Sequence, residues 1–385
     1  MAALHLLSAI HSASSSAVPV TQVTWKKIKH VLPFVPSLST HIAHKGQHGR
    51  VVVVGGSESY TGAPYFAAQS SLLFGADLAS IYCAKDAAIP IKSYSPDIMV
   101  SSVYRHEEVN NITCQEDLET ISNRTAEVII STFSRTHVLV VGPGLGRSPF
   151  LSQVLAKLIN AARLYNKPTV LDADALFLVS SQLHLIRGYK MCILTPNMNE
   201  LNMLSKAAID LVVESTIVGV NAEVEFNSSK LTADLSQTTD TELRLTALSI
   251  VLDGVVIIVK GQVDLIASGD HRVFAVGVSE DYGISPRRCG GQGDILAGCI
   301  GTAVHWATLA ALVENKDSSI DQIYDNSYAD LRNHPIVLAA VLASSVVKAA
   351  AWRAFLVSSR STTSTAILNH IGQAFEIVHP DEKTF

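Results

Sequence analysis

At 385 residues the chain has the length of two to three average domains or of one large α/β domain, since domains run about 150 residues with wide scatter. Only 16% of it is charged and 48% is apolar, against about 25% charged in an average soluble protein, which excludes general disorder and requires a large buried core. The formal net charge is −5, yet residues 1–57 hold no acid and carry Lys26, Lys27, Lys29, Lys45 and Arg50, leaving −10 to the remainder and arguing against a nucleic-acid partner.

Residues 1–43 form an acid-free, serine-rich arm. Its first twenty residues contain no basic side chain, so neither a secretory nor a transit-peptide pattern is complete. The arm is expected to be a leader or a disordered extension, outside a single catalytic domain spanning 44–385. A cytoplasmic location is expected, with a mitochondrial one as the alternative. Residues 51–54 open the domain as a bare apolar run, and runs of the same kind recur at 138–141, 168–171, 191–194 and 255–259. Such β-branched runs read as strands covered on both faces. Helical patterns lie between them at 63–74, 149–164, 200–207 and 241–252. Strands alternating with helices predict an α/β fold on a mostly parallel central sheet with helices on both faces.

Two polar stretches, 208–240 and 314–334, are expected to be surface insertions, because helical patterns resume after each. Residues 295–313 are apolar apart from interruptions such as Gly298, Gly301, His305 and Thr308. They read as a buried core helix, and no membrane association is expected. A last apolar, alanine-rich helix is expected over 336–357. The five cysteines, Cys83, Cys114, Cys192, Cys289 and Cys299, are widely spaced without a Cys-x-x-Cys pair, which fits a reducing compartment and no structural zinc.

The end of each predicted strand is polar or glycine-rich: Gly55-Gly56, Gly142-Pro-Gly-Leu-Gly146, Asp172-Ala-Asp174, Thr195-Pro-Asn197 and Lys260-Gly261. Ligands of open α/β sheets bind at the carboxyl ends of strands, so these segments predict one shared crevice. Gly142–Gly146 alone serves equally as a tight turn; beside Asp172, Asp174 and Asn197 it points to a ligand. The turn Lys260-Gly-Gln-Val-Asp264 explains its glycine but not a lysine ending a buried strand, which points to nucleotide contact.

The strongest signal is Ser285-Pro-Arg-Arg-Cys-Gly-Gly-Gln-Gly-Asp294 ahead of the apolar helix. Glycines at 290, 291 and 293 let backbone N–H groups approach an anion, and the helix adds the positive end of its dipole. Asp294 can cap that helix. Beside an anion nest it can also accept the proton of an attacking hydroxyl. No Gly-Lys-Ser/Thr phosphate loop occurs, and no Gly-x-Gly-x-x-Gly follows the first strand, which removes the sequence support for a hydride-transferring dehydrogenase.

Taken in order, Gly55-Gly-Ser-Glu-Ser-Tyr-Thr-Gly-Ala-Pro-Tyr65, Gly142-Pro-Gly-Leu-Gly-Arg147, Asp172-Ala-Asp-Ala-Leu176, Leu194-Thr-Pro-Asn-Met-Asn-Glu-Leu201, Lys260-Gly261 and Pro286-Arg-Arg-Cys-Gly-Gly-Gln-Gly-Asp294 resemble the ATP-dependent NAD(P)H-hydrate dehydratases of the ribokinase-like superfamily, over residues 44–375. The resemblance implies a ribokinase-like fold and a lyase of nicotinamide-nucleotide repair. In that family ATP drives dehydration of the S epimer of NADHX or NADPHX, the hydrated forms of NADH and NADPH, releasing ADP and phosphate. The implied route is phosphorylation of the hydrate's hydroxyl followed by elimination.

The resemblance implies that Asp294 contacts the hydrate and acts as base, with Gly291 and Gly293, and Gly290 beside them, as the anion hole. It implies hydrate binding by Gly146 and by Asn197, Met198, Asn199, Glu200, Leu201, Asn202 and Met203. ATP contacts are implied for Lys260, Gly261, Gln262, Val263 and Asp264, and for Ile284, Ser285, Pro286, Arg287, Arg288, Cys289, Gly290, Gly291, Gln292 and Gly293. Ile284 stands where the family often has a glycine. Magnesium is expected with ATP, with no metal-ligand set specified. A small-alcohol kinase of the same superfamily, such as a hydroxymethylpyrimidine kinase, is the competing reading, because it would use the same anion hole and base. A homo-oligomer is compatible with either.

Overall fold

The computed structural model describes residues 20–32, 34–36, 44–217, 240–269, 272–314 and 331–380. Its strands are β1 (Val20–Gln22), β2 (Arg50–Val54), β3 (Leu78–Ala84), β4 (Ile98–Tyr104), β5 (Val138–Val141), β6 (Thr169–Leu171), β7 (Cys192–Leu194), β8 (Val256–Val259), β9 (Asp264–Ala267) and β10 (Val273–Val276). They form one sheet in the order β1-β10-β9-β8-β7-β6-β5-β2-β3-β4. Every neighbouring pair is parallel except those of β9, which runs against β8 and β10.

The apolar runs are buried on both faces, as their composition requires. In β2, Val51 and Val53 belong to one core with helices α1 (Gly62–Phe74), α3 (Gln292–Glu314) and α4 (Pro335–Ser358). Val52 and Val54 belong to the other, with helices Pro149–Leu164 and Thr241–Val251 and with α2 (Met198–Ile217). α3 and α4 are long and apolar enough to cross a membrane, but most of each is buried inside the fold as a core helix. The interruptions in α3 are packing features. A Cβ on Gly298 would lie 2.0 Å from the Ala67 carbonyl, so only glycine lets α1 and α3 come this close. Ser70 Oγ then donates across the seam to Ile295 O (3.0 Å).

Two expectations are corrected. Residues 20–32 and 34–36 of the supposed arm belong to the fold: β1 pairs with β10, and Trp25, Ile28, Leu32 and Phe34 are buried in the core. Trp25 packs edge-on against Phe34 and donates Nε1–H to His379 Nδ1 (3.0 Å), tying this segment to the helix Ile371–Val378. The apolar spacing of Trp25, Ile28 and Leu32 outweighs the surrounding serines and lysines. The polar stretch expected from 208 onward begins as helix, because α2 continues to Ile217. Residues 1–19, 33, 37–43, 218–239, 270–271, 315–330 and 381–385, and with them most of both expected insertions, lie outside the described residues.

Candidate active site

Parallel strands place their carboxyl ends on one edge of the sheet, and there the polar strand ends meet. Lys260 leaves β8 with its N–H donated to Pro196 O (2.8 Å) and its Nζ donated to Asp172 Oδ1 at the end of β6 (2.5 Å). Thr195 Oγ1 donates to the same carboxylate oxygen (2.7 Å). Glu200 Oε2 lies 3.9 Å from Lys260 Nζ. Asn197 and Glu200 close a reciprocal capping box at the start of α2, with Asn197 N–H donating to Glu200 Oε2 (2.8 Å) and Glu200 N–H to Asn197 Oδ1 (3.0 Å). Ala173, between the two aspartates, has φ +48°, a conformation that side-chain-bearing residues adopt at an energetic cost and that concentrates at functional sites.

The glycine nest faces this group. Gly291 has φ +94°, and a Cβ there would lie 2.8 Å from the Phe66 ring and 2.9 Å from Ser364 Oγ, so backbone alone fits. A Cβ on Gly293 would lie 3.1 Å from Lys260 Nζ, which places the ammonium beside the nest. α3 starts at Gln292, bringing its unpaired N–H groups and dipole to the same point.

Asp294, in the first turn of α3, is the most perturbed carboxylate here. Burial pushes its carboxyl up to about 7, and the charges of Asp172 and Asp174 add to that while Lys260 opposes it. Burial also raises Glu200, against the pull of Lys260. For Lys260, burial acts downward, but Asp172 and Glu200 outweigh it and hold the amine above the usual lysine range. The group thus offers a fixed cation beside a carboxyl that exchanges its proton near neutrality.

These residues border a cleft of ≈ 380 Å³. It is lined by Lys260, Gly261, Gln262, Asp264, Ile284, Ser285, Arg287, Arg288, Cys289, Gly291, Gln292, Gly293 and Asp294, together with Asn197. Val263, Pro286 and Gly290 belong to the same segments without lining it. Gly146 stands one strand end away, its N–H donated to Asp174 Oδ2 (2.9 Å), while Arg147 Nε donates to Asp174 Oδ1 (2.6 Å). The 197–203 run does not act as one surface, because a helix turns successive side chains to different sides. Asn197 reaches the cleft and Glu200 faces Lys260, whereas Met198 and Asn199 are exposed. Leu201 is buried in the core, Met203 packs against it, and Asn202 accepts from Arg244.

Sequence reasoning missed Lys348. It comes from α4, donates to Gly261 O and Gln262 O (both 3.1 Å), and pairs with Asp264 Oδ1 (3.0 Å), so it holds the 260–264 turn in shape. The available signal was a single charged residue in the otherwise uncharged segment 335–352.

A fixed ammonium, two further arginines on the wall, an amide nest and a near-neutral carboxylate suit transfer of an anionic group to a hydroxyl. Comparison with known proteins agrees. A family model described as NAD(P)H-hydrate dehydratase matches residues 51–371. A protein of Vitis vinifera named ATP-dependent (S)-NAD(P)H-hydrate dehydratase is 36% identical over 364 residues, covering 94% of this chain and 91% of that protein. A protein of the same name from Arabidopsis thaliana is 36% identical over 337 residues, covering 88% and 81%. Among solved structures, a ribokinase-like superfamily protein of Enterococcus faecalis aligns with TM-score 0.56 at 17% identity, over 93% of this chain and 96% of that one. The ADP/ATP-dependent NAD(P)H-hydrate dehydratase of Bacillus subtilis, co-crystallised with ATP and Mg²⁺, aligns with TM-score 0.55 at 15% identity, over 94% and 100%. The expected ribokinase-like architecture is therefore the one the chain adopts.

Proposed function

The chain belongs to the NAD(P)H-hydrate dehydratase family, and we propose that it uses ATP to dehydrate the S epimers of NADHX and NADPHX, regenerating NADH and NADPH. The observation that carries the proposal is Asp294: a carboxyl raised to about 7, at the start of α3, beside the Gly291–Gly293 nest and Lys260. ATP would lie in the cleft against the 260–264 turn and the 284–293 loop, with the hydrate on the side of Asn197 and Gly146.

Asp294 takes the proton of the hydrate's hydroxyl as that oxygen attacks the γ-phosphorus of ATP. The bond from phosphorus to the bridging oxygen breaks and ADP leaves with its electron pair. Amides of the nest, Lys260, Arg287 and Arg288 carry the charge of the moving phosphoryl group. The ring C–O bond of this phosphate ester then breaks, and phosphate leaves with the bonding pair. Loss of a proton from the neighbouring ring carbon restores the double bond, so a kinase-type site yields a lyase outcome.

Among the described residues no group of three or more His, Cys, Asp or Glu side chains is placed to hold a metal ion. This fits magnesium arriving as part of the co-substrate MgATP, held chiefly by phosphate oxygens and water. The test is product analysis with ATP and NADHX. Reduced nicotinamide and free phosphate are expected together. Accumulation of a stable phosphorylated alcohol from a hydroxymethylpyrimidine, with no reduced nicotinamide recovered from NADHX, would instead support the kinase reading.

A further inference from the structure

We propose that Asp172 is a positioning residue, which withholds the Lys260 ammonium from Asp294 and thereby keeps Asp294 a working base; this rests on the reading of Asp294 as the base. Three carboxylates, Asp172, Glu200 and Asp294, share one half-buried lysine. Their hold on it is unequal. Asp172 Oδ1 receives the ammonium at 2.5 Å, whereas Glu200 Oε2 stands at 3.9 Å. Asp172 is itself fixed, being fully buried with its Oδ1 also accepting from Thr195 Oγ1 at 2.7 Å. The main-chain bond from Lys260 to Pro196 anchors the lysine's other end.

This geometry matters because Lys260 Nζ lies within 3.1 Å of the position a Cβ on Gly293 would take, immediately beside Asp294. Opposite charges a few ångströms apart in a desolvated site stabilise each other strongly. With Asp172 neutral, the ammonium's remaining anionic partners are Glu200 and Asp294. An ion pair with Asp294 would pin that carboxylate and weaken it as a base. Asp172 prevents this in two ways: it occupies the cation, and its own charge opposes ionisation of Asp294. Asp174 adds to the second effect but is turned to Gly146 and Arg147. On the other walls of the cleft, Lys348 is paired with Asp264, and Arg287, Arg288 and Cys289 lie along the loop.

The test is the pH dependence of kcat/KM in Asp172→Asn and Lys260→Met. Asp172→Asn keeps the side chain's shape, and its acidic limb is expected to move to lower pH by on the order of one unit. Lys260→Met removes the cation and is expected to move the limb to higher pH, whatever its effect on ATP affinity. A merely structural Asp172 would lower the rate at every pH and leave the limb in place. The titration of the infrared carboxyl band that Asp294→Asn abolishes gives the same shifts without turnover. An unmoved band or limb in Asp172→Asn, or shifts of the same sign in both variants, would overturn the proposal. A wild-type protein without ATP-dependent NADHX turnover would instead overturn the functional reading, and the infrared titration would still decide the role of Asp172.

Discussion

Gly290 and Gly291 are adjacent and chemically identical, yet the structure assigns them opposite tolerance. At Gly291 an alanine must hold φ +94°, with its Cβ 2.8 Å from Phe66 and 2.9 Å from Ser364 Oγ. The left-handed backbone costs about 1–2 kcal/mol and the overpacking about 1–3 kcal/mol, so a loss of roughly 2–5 kcal/mol is expected unless the loop rebuilds. Rebuilding would move the amide that the mechanism aims at the phosphoryl group, and loss of one such donor lowers kcat by about 10²–10³. At Gly290 no atom lies within 4 Å of the added Cβ and the backbone is ordinary, so Gly290→Ala should stay within about 0.5 kcal/mol. Thermal unfolding and ATP-dependent turnover of both variants provide the comparison. Equal damage from the two substitutions, or a Gly291→Ala protein indistinguishable from the parent, would refute the nest as described.

Asp294→Asn should lower kcat by about 10²–10⁴ while ATP still binds, checked by steady-state kinetics and nucleotide titration. In the unsubstituted protein kcat/KM should fall on the acid side of about 7, where Asp294 becomes protonated. Because the folded state raises this carboxyl, its ionisation opposes folding as pH rises from the ordinary carboxylate range through about 7, so Asp294→Asn should raise Tm more above that window than below it. Lys348→Ala should raise KM for ATP more than KM for the hydrate, since it frees the turn held through Gly261 O and Gln262 O. Trp25→Ala should cost about 3–5 kcal/mol in chemical denaturation, as for a core aromatic; a change near zero would return residues 20–36 to the status of an arm.

Strands whose residues are apolar on both faces were legible, and 51–54, 138–141, 168–171, 191–194 and 255–259 form within a residue of their predicted limits. β3 and β4 were not. Leu78-Ala-Ser-Ile-Tyr-Cys-Ala84 mixes small and polar residues, and β4 is the sheet edge, exposing Met99, Ser101 and Ser102. The fixed order of strand ends made the crevice readable, because in a parallel sheet each polar end falls on the same edge. What spacing could not give was partnership across the sheet. Asp172 and Lys260 are far apart in sequence and joined only by the order β8-β7-β6, and Lys348 enters from α4 on a helix that reads as pure core.

Coupling of ATP cleavage to dehydration of the damaged cofactor is measured directly by recovery of reduced-nicotinamide absorbance from NADHX alongside phosphate release, with ATP present and with no nucleotide. Recovery with ATP is expected to stay in one-to-one proportion with released phosphate and to be absent without nucleotide. Recovery independent of nucleotide, or ATP cleavage with no reduced nicotinamide formed, would contradict that coupling.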